Sequence, residues 1–177
     1  EAALERGLFW KAFCFSRLTE PEDKVPVFRA YAIEGYRDLI KRFPASEFAP
    51  QALSAIGTLY FMEGKTAEAE RAYSRLAAEY PDSEQAKNVV FAQGRSLLEL
   101  GQTEEAVKVF GRMFEKADVF SAAQFMRAGQ TMLEAGELET AVRMLDRAYE
   151  TASERAVWEG AAFALAQAHS RREAYAE

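Results

Sequence analysis

The feature that most constrains this chain is that it matches itself when shifted by 37 residues. Ala32, Tyr36, Leu39, Pro44, Ser46, Glu47 and Ala49 fall on Ala69, Tyr73, Leu76, Pro81, Ser83, Glu84 and Ala86, while Gly57, Gly64 and Ala69 fall on Gly94, Gly101 and Ala106. The phrase Gly-Lys-Thr-Ala-Glu-Ala at 64–69 returns as Gly-Gln-Thr-Glu-Glu-Ala at 101–106 and as Gly-Glu-Leu-Glu-Thr-Ala at 136–141, with a worn copy, His-Ser-Arg-Arg-Glu-Ala, at 169–174. Steps between the closing alanines are 37, 35 and 33 residues. Tandem units of this size cannot bury an apolar face alone, so they stack on one another and share a continuous core.

Within each repeat the apolar residues recur at helical spacing and are interrupted twice. In the clearest copy Leu53, Ile56, Gly57 and Tyr60 share one helical face, Gly64 ends that helix, and Ala69, Tyr73 and Leu76 line the next before Pro81. Each repeat therefore reads as an antiparallel helix pair. Gly64, Gly101 and Gly136 stand where a left-handed residue closes a helix. The other glycines, Gly57, Gly94 and Gly129, fall inside helices, where each costs about 1 kcal/mol relative to alanine. Close approach of the paired helix offsets such a cost, and Ala69, Ala106 and Ala141 are the small residues expected to face them.

This pattern of a large apolar residue, a small one, Tyr, Gly, Ala, an aromatic and Pro resembles the tetratricopeptide repeat. Leu53, Ile56, Gly57, Tyr60, Ala69, Tyr73 and Pro81 occupy its positions in one copy, Val90, Gly94, Leu97, Ala106 and Phe110 in the next, and Phe125, Ala128, Gly129, Met132, Ala141, Leu145 and Ala148 in a third. Trp158, Ala161, Ala162, Leu165 and Ala174 open a fourth, and Trp10, Phe13, Cys14, Ala32, Tyr36 and Pro44 form a divergent first copy. The resemblance implies an all-α, right-handed solenoid of stacked antiparallel helix pairs. Its expected divisions are a helix pair at 1–45 with a long connection at 18–25, repeats at 46–82, 83–118 and 119–153, and a truncated repeat at 154–177. The Tyr-Pro-Asp-Ser form and the longer step are similar to repeats of bacterial envelope proteins, among them the outer-membrane assembly lipoprotein BamD and the periplasmic Tol-Pal partner protein. That narrower likeness favours the bacterial envelope or periplasm, with a cytoplasmic location as the alternative.

In this family the first helix of each pair lines a concave groove. The resemblance places there Gln51, Ser54, Thr58 and Phe61, then Asn88, Phe91, Arg95 and Leu98, then Met126, Arg127, Gln130 and Leu133, and finally Glu159, Phe163 and Gln167. An apolar track of Phe61, Phe91, Met126 and Phe163 with polar flanks suits a peptide or helix of a partner protein. Ser54 and Thr58 stand where chaperone-tail binders of the family carry a Lys and Asn pair, so a carboxylate clamp of that kind is not expected.

Composition narrows the alternatives. The 22 basic and 28 acidic side chains give a net charge of −6 with no basic stripe, which argues against nucleic acid. No uncharged apolar run approaches the roughly 18 residues of a membrane span. One cysteine and one histidine cannot assemble a usual zinc site, and Gly-rich phosphate loops, paired metal-binding histidines and nucleophile elbows are missing, so no metal, cofactor or catalysis is expected. Cys14 reads as a buried thiol and His169 as a worn turn residue. The opening Glu-Ala-Ala-Leu lacks an initiator Met, which suggests a processed or cut N-terminus. The expected function is a non-catalytic binding scaffold; the alternatives are self-assembly through the solenoid ends and an accessory domain of a larger enzyme.

Overall fold

The fold was obtained as a computed structural model, which describes residues 1–115 and 117–174. Among them every regular element is helical. The chain divides into an N-terminal module, Glu1–Ser96, and a C-terminal module, Leu97–Glu177.

The N-terminal module begins with helices α1 (Ala2–Arg17) and α2 (Val25–Arg42), joined through a short 3-10 turn at Glu22–Lys24. Next come α3 (Ala49–Met62) and α4 (Thr66–Glu79), then α5 (Glu84–Asn88) and the start of α6 (Val90–Glu99). Helix α1 packs on α2, α2 on α3, and α3 on α4. The sequence repeat is also a conformational repeat. Phe43 and Tyr80 both leave their helices near φ −132°, ψ 65° and φ −135°, ψ 55°, each pushed from helical geometry by the proline that follows. Tyr80 then ties successive turns together, its hydroxyl donating to the Pro44 carbonyl at 2.6 Å.

Gly64 (φ 70°) closes α3 with paired bonds, its own N–H to the Phe61 carbonyl and the Lys65 N–H to that of Tyr60. Gly101 (φ 72°) and Gly136 (φ 84°) close α6 and the first helix of the next pair in the same way. A side chain with a Cβ is disfavoured at such angles, which is why the phrase always opens on glycine. Inside α3, a methyl at Gly57 would lie 2.3 Å from the Tyr73 ring. The close neighbour is thus the aromatic ring one turn beyond Ala69, and not Ala69 itself. Gly94 and Ala106 are both buried.

The C-terminal module holds α7 (Thr103–Glu115), a 3-10 turn at Ala117–Val119, α8 (Ala122–Glu134), α9 (Leu138–Thr151) and α10 (Arg155–Ala174). Glu104 and Glu105 sit in the first turn of α7, where the helix dipole favours acids. Ser121 and Gln124 cap α8 reciprocally. Gly129 is pressed between Leu145 and the Ala141 carbonyl, 2.5 and 3.1 Å from where its Cβ would be. Phe125, Met132, Ala141, Met144, Leu145 and Ala148 make the buried seam of the α8–α9 pair, and α10 packs on both.

Four expectations are corrected. Helix α1 turns Phe9 and Ala12 inward, leaving Trp10 53% and Phe13 39% exposed and the Cys14 thiol outside. Phe9 stacks on Phe48 at 4.7 Å and Ala12 presses on Gly35, so the inward face was set by a small residue that allows contact. In α10 the buried row is Val157, Ala161, Ala164 and Ala168, while Trp158 lies outside against Tyr149. His169 is helical: α10 runs without a break to Ala174, because neither glycine nor proline stops it where its sisters stop. Lastly, the first helix of the 83–118 repeat is not continuous, since Val89 separates α5 from α6. The end of the proposed 154–177 repeat, residues 175–177, lies outside the described residues.

Candidate protein-binding surface

The first-helix residues divide between the two modules. In the N-terminal module Phe61 is half-buried against the core, and the Arg95 guanidinium lies 5.1 Å from its ring centre. This pairing of α3 with α6 makes a cationic cover over an aromatic, a contact that contributes up to about 1 kcal/mol at exposed sites. Phe91, one turn before Arg95, is half-buried, and Asn88 and Gln51 are exposed. Ser54 is half-buried and Thr58 exposed. The Thr58 hydroxyl donates to the Ser54 carbonyl at 3.0 Å and is also hydrogen-bonded with Tyr73. Burial pushes the Tyr73 hydroxyl above its ordinary pKa, opposed by that bond from Thr58.

In the C-terminal module Met126 of α8 lies against the backbone of α10, its sulfur 2.8 Å from where a Cβ on Gly160 would be. Gly160 therefore admits the thioether, and Phe163 one turn further is left 67% exposed. Gln130 is half-buried, while Arg127 and Gln167 are exposed. Glu159 is held by Arg155 at 2.7 Å. Leu133, expected on the exposed row, is buried instead, and its carbonyl accepts from Arg171 at 3.0 Å. The row in this module thus consists of Met126, Gln130, Phe163 and Gln167, with Arg127 at its side.

One polar network has no counterpart in the sequence reading. Gln93 is buried and donates through Nε2 to Ser74 Oγ at 2.9 Å, and Ser74 in turn bonds Glu70. It fixes α6 to α4 inside the N-terminal module. Helical periodicity flags positions by apolarity, so an inward Gln beside Gly94 is silent to it. Among the described residues no three His, Cys, Asp or Glu side chains gather into a metal site, and no helix is long and apolar enough to cross a membrane.

Residues 51–83 and 89–117 match the family model of the tetratricopeptide repeat. No curated protein matches the sequence. These two segments are thus recognised as tetratricopeptide repeats, and the described residues form an all-α array of adjacent helix pairs. Such repeats generally mediate protein–protein interaction and typically belong to non-catalytic scaffolds.

Proposed function

We propose that this chain is a non-catalytic scaffold that holds a peptide or helix of a partner protein on the first helices of its repeats. The observation that carries the reading is Phe163, a phenylalanine 67% exposed on α10, one turn beyond the Gly160 against which Met126 of α8 packs. An aromatic left in water one turn beyond the glycine that takes up a polarizable thioether, with the amides of Gln130 on α8 and Gln167 on α10, offers an apolar anchor and amide partners for a bound backbone. Phe91, with the Phe61–Arg95 pair, offers a similar patch in the N-terminal module. The test is retention of native partners by the wild-type chain and by Phe91→Ala and Phe163→Ala variants whose thermal melts are unchanged. Loss of a partner on either substitution supports the reading; undiminished retention of all of them refutes it.

Exposed Leu4, Trp10, Phe13, Leu18, Val27 and Tyr31 on α1, α2 and their connection favour a second reading, self-association through the N-terminal end. Sedimentation of wild type against Trp10→Glu separates the two. The envelope location rests on the repeat length and the Tyr-Pro-Asp-Ser phrase, and fractionation of the native cell tests it.

A further inference from the structure

The N-terminal module has a second recess, unrelated to the first-helix row. It lies between α2 and the turn that joins α3 to α4, encloses about 810 Å³, and its polar wall consists of Arg29, Glu34, Arg37, Tyr60, Glu63 and Lys65. Arg37 donates to the Tyr60 hydroxyl at 2.8 Å, and its guanidinium lies 5.7 Å from the ring centre. Lys65 is 5.9 Å from the same ring and holds Glu63 at 2.9 Å. The phenol is thus held by Arg37 with a second cation, Lys65, near its ring, and the Glu63 charge is answered by Lys65. Among the described residues Arg29 and Arg37 make no ion pair, although the other arginines and lysines with ion pairs find theirs within four residues. In a chain of net charge −6 the lining of this recess carries three cations, Arg29, Arg37 and Lys65, against two acids, Glu34 and Glu63.

We infer that this recess binds an extended acidic segment of a partner protein, with two carboxylates four residues apart. The spacing follows from helix geometry. Arg29 and Arg37 are eight residues apart on α2, about 12 Å along its axis at 1.5 Å per residue. Carboxylates at i and i+4 of an extended peptide are about 13 Å apart at 3.3 Å per residue and point to one side. The side chain at i+2 then faces Ala30 and Ile33, which leaves room for a small apolar residue. Guanidinium forks suit carboxylates in paired hydrogen bonds, and Tyr60 holds the Arg37 fork in place before the peptide arrives.

The experiment is an NMR titration of the whole chain with the capped peptide Glu-Ser-Ala-Ser-Glu, with its Gln-for-Glu and Lys-for-Glu versions, and with an oligo-dT of equal charge. Saturable shifts confined to α2 and residues 60–65, weakening as salt rises toward the roughly 8 Å screening length of 0.15 M, are expected for the Glu peptide alone. Arg29→Gln should weaken binding roughly tenfold, as loss of one charge-assisted pair does. Should Arg29→Gln perturb the thermal melt, Lys65→Gln, which frees Glu63 to repel the peptide, must show the same loss. Equal binding of the Gln peptide, tighter binding of oligo-dT, shifts elsewhere, or indifference to both substitutions overturns the proposal. The first-helix reading is independent of any of these outcomes, because Phe91 and Phe163 are on α6 and α10.

Discussion

Alanine at Gly57 and at Gly7 should move stability in opposite directions, although both glycines are helical and in the same module. Replacing a helical glycine by alanine gains about 1 kcal/mol of intrinsic propensity. At Gly7 the added methyl meets nothing within 4 Å, so the gain is expected nearly whole. At Gly57 it lands 2.3 Å from Cε1 and 2.6 Å from Cδ1 of Tyr73, where ordinary contact begins near 3.4 Å. More than an ångström of overlap must be relieved, and the ring has nowhere to go: Tyr73 is 1% exposed and its hydroxyl is engaged by Thr58. Overpacking of this kind costs roughly 1–3 kcal/mol, and the overlap places Gly57 toward the upper end, which leaves a net loss of about 1–2 kcal/mol after the propensity gain. For a chain of this length one kcal/mol shifts Tm by about 2–4 °C. Circular-dichroism melts should therefore show Gly57→Ala lower by about 2–8 °C and Gly7→Ala higher by about 2–4 °C. In a Tyr73→Ala background the Gly57→Ala penalty should disappear, since the pair is directly coupled. If Gly57→Ala stabilises as Gly7→Ala does, or if the penalty survives removal of the ring, close helix approach is not why glycine stands there.

The same contrast should hold in the C-terminal module, with Gly129→Ala destabilising against Leu145 and Gly111→Ala, whose Cβ meets nothing within 4 Å, stabilising. Tyr36 and Tyr73 are raised above the ordinary phenol pKa of about 10, chiefly by burial. Above that pH the unfolded chain loses these protons first, so stability should be level below about 10 and fall above it, with phenolate absorbance of both appearing together with unfolding. Ser121→Ala removes the reciprocal cap of α8 and should lower stability by about 1 kcal/mol in urea titration. Cys14, exposed on α1, should react with Ellman's reagent in the folded protein; protection that lifts only in denaturant would return the thiol to the core.

The helix pairs were legible because their limits are written in residues with few conformational options. Glycine at 64, 101 and 136 ends a helix at positive φ, and proline after Phe43 and Tyr80 forces the backbone out of the helical region. These are backbone constraints, local in sequence, and they survive repetition. Which face of a helix is buried is not local. In α1 and α10 hydrophobicity marks the heavy aromatics Trp10, Phe13 and Trp158 as inward, while the observed cores are Phe9 with Ala12 in α1 and Val157 with Ala161, Ala164 and Ala168 in α10. Hydrophobic content favours the large side chain; close packing between helices favours the small one, and only the neighbouring helix decides between them.

The same reasoning explains why residues of one first-helix row have different fates. Phe61, Met126 and Phe163 stand at different positions of one first-helix row, and a periodic reading gives the whole row one role. Phe61 carries Arg95 over its ring, Met126 is taken up by the gap at Gly160, and Phe163 has neither and stays in water. The difference lies in residues of the adjoining helices, an arginine in one copy and a glycine in another, which no single repeat contains. A repeat array can thus hold its backbone constant through glycine and proline while each interface admits or covers the same row. Apolar anchoring of a partner should accordingly concentrate where the adjoining helix withholds a cover, which in the C-terminal module is at Phe163.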